Sequence, residues 1–171
     1  LLTGVFFEVS GSPVSFSTVS AMVAGGSSVL FGPDGGGNVG GEWAFRSGLV
    51  GAPSALTHGI SSTGLGLFGP GDVFPGSNLE GPTSPGGLNY GILPAGDNPL
   101  TGNTPVTGTT PLIKNSVVFT LTCPNGFDAS RITRAFFQYG TALDEGGFEV
   151  PAPGAAGLLG LGLIATGRRR R

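Results

Sequence analysis

The sequence predicts an all-β protein: a β-sandwich or jelly-roll-like domain with long Gly/Pro-rich loops, followed by a C-terminal transmembrane helix. Three observations carry that prediction. Short runs of alternating apolar and polar residues recur along the chain at strand length. Glycine (34) and proline (14) supply 48 of the 171 residues and punctuate those runs with turns. The C-terminal stretch, 150–171, joins two prolines, an uncharged apolar block and four arginines. That much Gly and Pro reaches the range of low-complexity disorder. A hydrophobic content of 39 % and twelve phenylalanines, placed in alternation, argue for a folded core instead.

The elements follow in order. Residues 3–10 mix β-branched and aromatic residues around Glu8 and read as a strand. Gly11-Ser12-Pro13 turns the chain, and Val14 to Val23 alternates as a second strand, so a hairpin is expected between the two. Ser28 to Phe31 is a short apolar strand before the loop Gly32 to Asn38. Glu42 to Arg46 places Trp43 and Phe45 on one face. Residues 59–68 alternate again, with Leu65 and Leu67 pointing one way. The stretch from Gly69 to Thr110 holds most of the prolines, with one strand expected within Gly86 to Leu93. Leu112 to Thr122 is the strongest strand pattern, with Val117, Phe119 and Leu121 on one face. Pro124-Asn125-Gly126 turns, Asp128 to Arg131 forms a short helical turn, and Ile132 to Tyr139 is the final strand, with Ala135, Phe137 and Tyr139 on one face.

Charge and cysteine usage narrow the function classes. Without Arg168 to Arg171, four basic residues face ten acidic ones, a net charge of −6. An acidic domain poor in lysine is a weak candidate for nucleic-acid binding. Cys123 is alone, so no internal disulfide forms, and it is expected as a small buried hydrophobe.

The C-terminal stretch has three parts. Val150-Pro151-Ala152-Pro153 is an extended hinge, because proline fixes φ and removes a backbone donor. Val150 to Gly167 carries no charge. As a helix these residues span about 27 Å at ~1.5 Å per residue, just short of the ~30 Å hydrocarbon core of a bilayer. The block lacks the polar face of a surface helix, and its five glycines are better tolerated in lipid than in water. Arg168 to Arg171 then favour the cytoplasmic side, with the rest of the chain exported. An exported chain requires a signal peptide, and Leu1-Leu2-Thr3-Gly4 is not one, so a chain lacking its N-terminus is expected.

Pro-x-Pro, a short Leu/Gly-rich apolar helix and a terminal arginine cluster together resemble the PEP-CTERM sorting signal. The usual motif is Val-Pro-Glu-Pro, and here Ala152 replaces the glutamate. The phrases Gly69 to Gly76, Ile113 to Leu121 and Phe137 to Thr141 are also similar to a family of exosortase-dependent bacterial surface proteins, which has no assigned chemistry. The resemblance implies a partner and a route. Exosortase, a membrane-embedded cysteine transpeptidase, reads Val150, Pro151, Ala152 and Pro153 and cuts near Pro151–Pro153. Arg168, Arg169, Arg170 and Arg171 hold the tail in the inner membrane until then. The mature domain passes to the cell surface or to the extracellular polysaccharide of a biofilm. The expected organisation is a β-sandwich ectodomain over 1–141, a linker over 142–149 and the sorting signal over 150–171.

No catalytic residue, cofactor or metal is expected. His58, the single histidine, lies in a turn-like Leu-Thr-His-Gly context with no nucleophile motif beside it. The loop at 32–38 lacks the Gly-Lys-Ser/Thr ending of a P-loop, and Asp34 and Asn38 fit turn chemistry better than calcium ligation. Asp144-Glu145 falls in the expected linker, as solvated acids rather than a glycosidase pair. The alternative function is a carbohydrate-binding module, with Trp43, Tyr90 or Tyr139 as the sugar-stacking rings.

Overall fold

The computed structural model describes residues 1–69, 89–101 and 108–151. The protein is all-β there, with no α-helix among the described residues. The strands are β1 (Leu2–Val9), β2 (Ser17–Val23), β3 (Ser28–Leu30), β4 (Ala44–Ser47), β5 (His58–Ser61), β6 (Gly91–Leu93), β7 (Leu112–Lys114), β8 (Val117–Thr122), β9 (Ile132–Tyr139) and β10 (Gly147–Pro151). Short 3₁₀ turns occur at Gly35–Gly37, Gly40–Glu42, Pro53–Ala55 and Ala129–Arg131.

Strand β1 is the axis of the larger sheet. One of its edges pairs antiparallel with β9 along its whole length, and β9 carries β10 outside it. The other edge is shared between two branches. Gly4 to Phe7 pair with β5, which carries β4, while Leu2 meets Ile92 of β6, which leads to β7 in parallel and then β3. The smaller sheet is the antiparallel pair β2–β8.

Alternation along these strands builds two cores. Phe6, Ala44, Leu49, Ala52, Leu56, Leu65 and Phe68 pack on one face of the larger sheet, where the loops after β4 and β5 cover it. Trp43, Ile60, Tyr90, Ile113, Ala21 and Val39 fill the other face, closed by Phe119, Val117 and Leu121 of β8 and Val23 of β2. Burial along β8 alternates residue by residue, with Val118 55 % exposed and its neighbours turned inward. The apolar face read from the sequence is therefore the face that closes the second core.

Several expectations are corrected. β1 and β2 do not form a hairpin, because β2 takes β8 as its partner. The run 112–122 is two strands in different sheets, broken at Asn115, whose φ of +88° turns the chain. The strand expected over 59–68 ends at Ser61, and Leu65, at φ +51°, drops into the first core from a turn. The linker expected over 142–149 is not one. Its first half is a turn tied to β9, and from Gly147 it forms β10, paired with β9 through Pro151. Of the tail, 152–171 lies outside the described residues, so nearly all of the expected membrane segment, with Ala152, Pro153 and Arg168–Arg171, does too. No helix of the described residues is long and apolar enough to cross a membrane.

Candidate functional site

Val150 and Pro151, the first two residues of the expected sorting motif, lie within the folded domain as the end of β10. Gly140 and Gly146 take φ of +77° and +107°, the left-handed region that glycine tolerates, and bracket the turn between β9 and β10. Gln138 secures that turn from within. Its side chain is fully buried, and Nε2 donates to the carbonyls of Tyr139 (2.8 Å), Ala142 (3.0 Å) and Gly146 (3.0 Å). Three acceptors around one terminus fix the amide with its nitrogen toward them, since the oxygen could make none of these bonds. Glu145 Oε1 accepts from the backbone N–H and the hydroxyl of Thr141, each at 3.1 Å.

The register of β10 sets which backbone groups are free. Tyr139 N–H donates to Gly146 O at 3.1 Å. In an antiparallel ladder hydrogen-bonded pairs alternate with non-bonded ones. Phe148–Phe137 and Val150–Ala135 are therefore bonded pairs, and Gly147, Glu149 and Pro151 lie between them. Val150 turns its N–H and C=O toward Ala135. Pro151 occupies a position whose N–H would point away from β9, where a missing donor costs the ladder nothing. Side chains add a clamp: Glu149 accepts from the Ser54 hydroxyl and sits 3.4 Å from Arg134 Nη1, while Arg134 Nη2 donates to Ser54 O at 3.4 Å. The ion pair is solvent-accessible and worth about 0–1 kcal/mol.

The three candidate sugar-stacking rings are not brought together. Trp43 is fully buried, edge-on to Phe119 at 4.9 Å. Tyr90 is 4 % exposed and its hydroxyl donates to Pro33 O at 2.9 Å. Both rings pack in the second core rather than on an open sheet face. Tyr139 is 45 % exposed. It shares a sheet face with Phe137 and with Phe148, which is 63 % exposed. The signal for Phe148 was present in the alternation Gly147-Phe-Glu-Val-Pro151, but it is short and ends in proline.

His58 is buried on β5 rather than held in a surface turn. Its ring stacks on Phe7 at 5.2 Å and meets Phe16 edge-on at 5.5 Å. The Thr57 hydroxyl stands between Nδ1 of His58 (3.0 Å) and Glu8 Oε2 (3.4 Å). Burial pulls the His58 pKa below its ordinary value, and Glu8 partly opposes this. A cavity of about 380 Å³ opens beside Glu8, Thr57 and His58. A second, of about 270 Å³, lies between Glu42, Tyr90 and the Gly35–Asn38 loop. Burial raises the pKa of Glu42, and its Oε2 has no hydrogen-bond partner among the described residues. Asp34 accepts from Gly36 N–H and Asn38 from Gly40 N–H, as turn residues do. Among the described residues no three or more His, Cys, Asp or Glu side chains gather closely enough to hold a metal ion. Cys123, expected to be buried, is exposed just past the end of β8.

No protein-family model matches this chain, and no curated protein or solved structure matches it either.

Proposed function

We propose that the protein is a non-enzymatic, exported surface or extracellular-matrix protein whose C-terminal signal is recognised and cut by exosortase. The observation that carries this reading is the order of the tail: Val150-Pro151-Ala152-Pro153, an uncharged block to Gly167, then Arg168 to Arg171. The apolar block serves as a transient inner-membrane anchor with the arginines in the cytoplasm. The domain ahead of it is a sandwich-like body, with β2–β8 laid over one face of the larger sheet. In the cut, the enzyme's thiolate adds to a motif carbonyl carbon and the C–N bond breaks. The departing amine takes a proton, and an amine or water resolves the acyl thioester. The packing of the single histidine among phenylalanines favours a structural rather than a catalytic role for it. Intact mass of the mature C-terminus, from hosts with and without exosortase, tests the reading. Loss of the apolar block and arginines only when exosortase is present is expected, and an uncut tail in both hosts overturns it.

The exposure of Tyr139 and Phe148 on one sheet face favours a second reading, contact with extracellular polysaccharide. Pull-down on the host polysaccharide should then fall on Tyr139→Ala, and equal retention of wild type and variant removes this reading.

A further inference from the structure

We infer that the folded domain withholds its own processing motif: β10 must unzip from β9 before the sorting enzyme can seat Val150–Pro151. The inference rests on the processing reading above and concerns the regulation of that same site. A transpeptidase that binds an extended substrate needs the backbone around the scissile bond free of other partners. Here the motif's first two residues are the end of a sheet strand, with Val150 opposite Ala135 and Pro151 opposite Arg134. The N–H and C=O of Val150 are directed into the ladder, and Glu149 is clamped to Ser54 and Arg134.

Docking on the outer edge of β10 is a poor substitute for unzipping. Only Gly147, Glu149 and Pro151 point their backbone groups outward, and Pro151 has no N–H. Two donors remain over five residues, and both lie upstream of the motif. The enzyme's access therefore depends on the population of an opened β10, and cutting should track that population when opening is fast. Opening is local. Gln138 holds the turn beyond Gly146, so β10 can peel back from Pro151 toward Gly147 while β9 keeps its pairing with β1.

The test uses the full chain in a host with active exosortase. Phe137→Cys and Phe148→Cys face each other with Cα atoms about 5.5 Å apart, a span a disulfide accommodates. They are introduced together with Cys123→Ser, and the control carries Phe137→Ser, Phe148→Ser and Cys123→Ser. The crosslinked protein, its disulfide verified by intact mass, should be cut roughly tenfold or more slowly than the control, with recovery on reduction. Ser54→Ala, which removes a clamp on Glu149 without touching the motif, should be cut about two- to fivefold faster. It decides the question if the crosslinked pair does not accumulate. Cutting of the verified crosslinked protein at the control rate, or of Ser54→Ala at the wild-type rate, overturns the gate and leaves the processing reading intact. If no form is cut while the same cells process another sorted protein, the processing reading itself fails, and the gate with it.

Discussion

Replacing Gly59 by alanine sets two effects of opposite sign against each other. Gly59 is a buried β5 residue whose backbone is not in the left-handed region, so alanine fits its φ without strain. On chain entropy alone the change should stabilise by about 0.4–1 kcal/mol. Packing opposes this. A Cβ at this position would lie 2.7 Å from Phe6 Cδ1, 3.0 Å from Phe6 Cε1 and 3.1 Å from Leu49 Cδ1. Phe6 is wholly buried in the first core, so its ring has nowhere open to move. Overpacking of this kind costs about 1–3 kcal/mol. The net expectation is a loss of about 1–2 kcal/mol, or roughly 3–6 °C in Tm for a chain of this size. Gly96→Ala is the control. It too lies outside the left-handed region, and its Cβ would meet nothing within 4 Å, so it should be neutral or slightly stabilising. Urea unfolding followed by the fluorescence of Trp43, the single buried indole, measures both. Phe6→Leu in combination with Gly59→Ala should cost less than the two changes added, since the smaller side chain relieves the contact. A Gly59→Ala protein as stable as wild type would refute the close packing of β1 on β5.

Two further outcomes follow from buried polar groups. Gln138→Met keeps the volume but removes the two N–H donors shared among three carbonyls, and should cost about 1–2 kcal/mol by urea unfolding; the loss is limited because Gly146 O and Ala142 O keep the backbone donors of Tyr139 and Glu145, and an unchanged midpoint would mean that the amide does not hold the turn. His58 has a lowered pKa when folded, so the unfolded chain binds the proton more tightly; its contribution to stability is present above the ordinary value of about 6.5 and is lost as pH falls from there through the folded pKa, and His58→Phe should flatten the difference in urea midpoint between pH 7.5 and pH 5.5, whereas an equal slope in both proteins would contradict the burial of the ring.

The sequence by itself determined which faces are apolar. In β8 the alternation of Val117, Phe119 and Leu121 with Val118, Thr120 and Thr122 became the observed alternation of half-buried and exposed side chains. In β9 the odd residues Ala135, Phe137 and Tyr139 share a face, and the turn at Asp128–Arg131 formed where its capping side chain allowed. Such features are local, because the pleat fixes side-chain direction within a few residues. The identity of each strand's partner is not local. β2 passes over the adjacent β1 to pair with β8 about a hundred residues on, and nothing in Val14 to Val23 distinguishes those edges. The break at Asn115 left only a local trace, the polar run Lys114-Asn115-Ser116, and such a run cannot reveal that the two halves belong to different sheets. Trp43 and Tyr90 read as candidate sugar-stacking rings, yet the second core takes both, while Tyr139 and Phe148 stay exposed. The order of the tail was legible as composition and spacing alone. That its first two residues are held in the sheet was decided only by the return of β10 along β9, a pairing the proline at its end conceals in sequence and tolerates in structure.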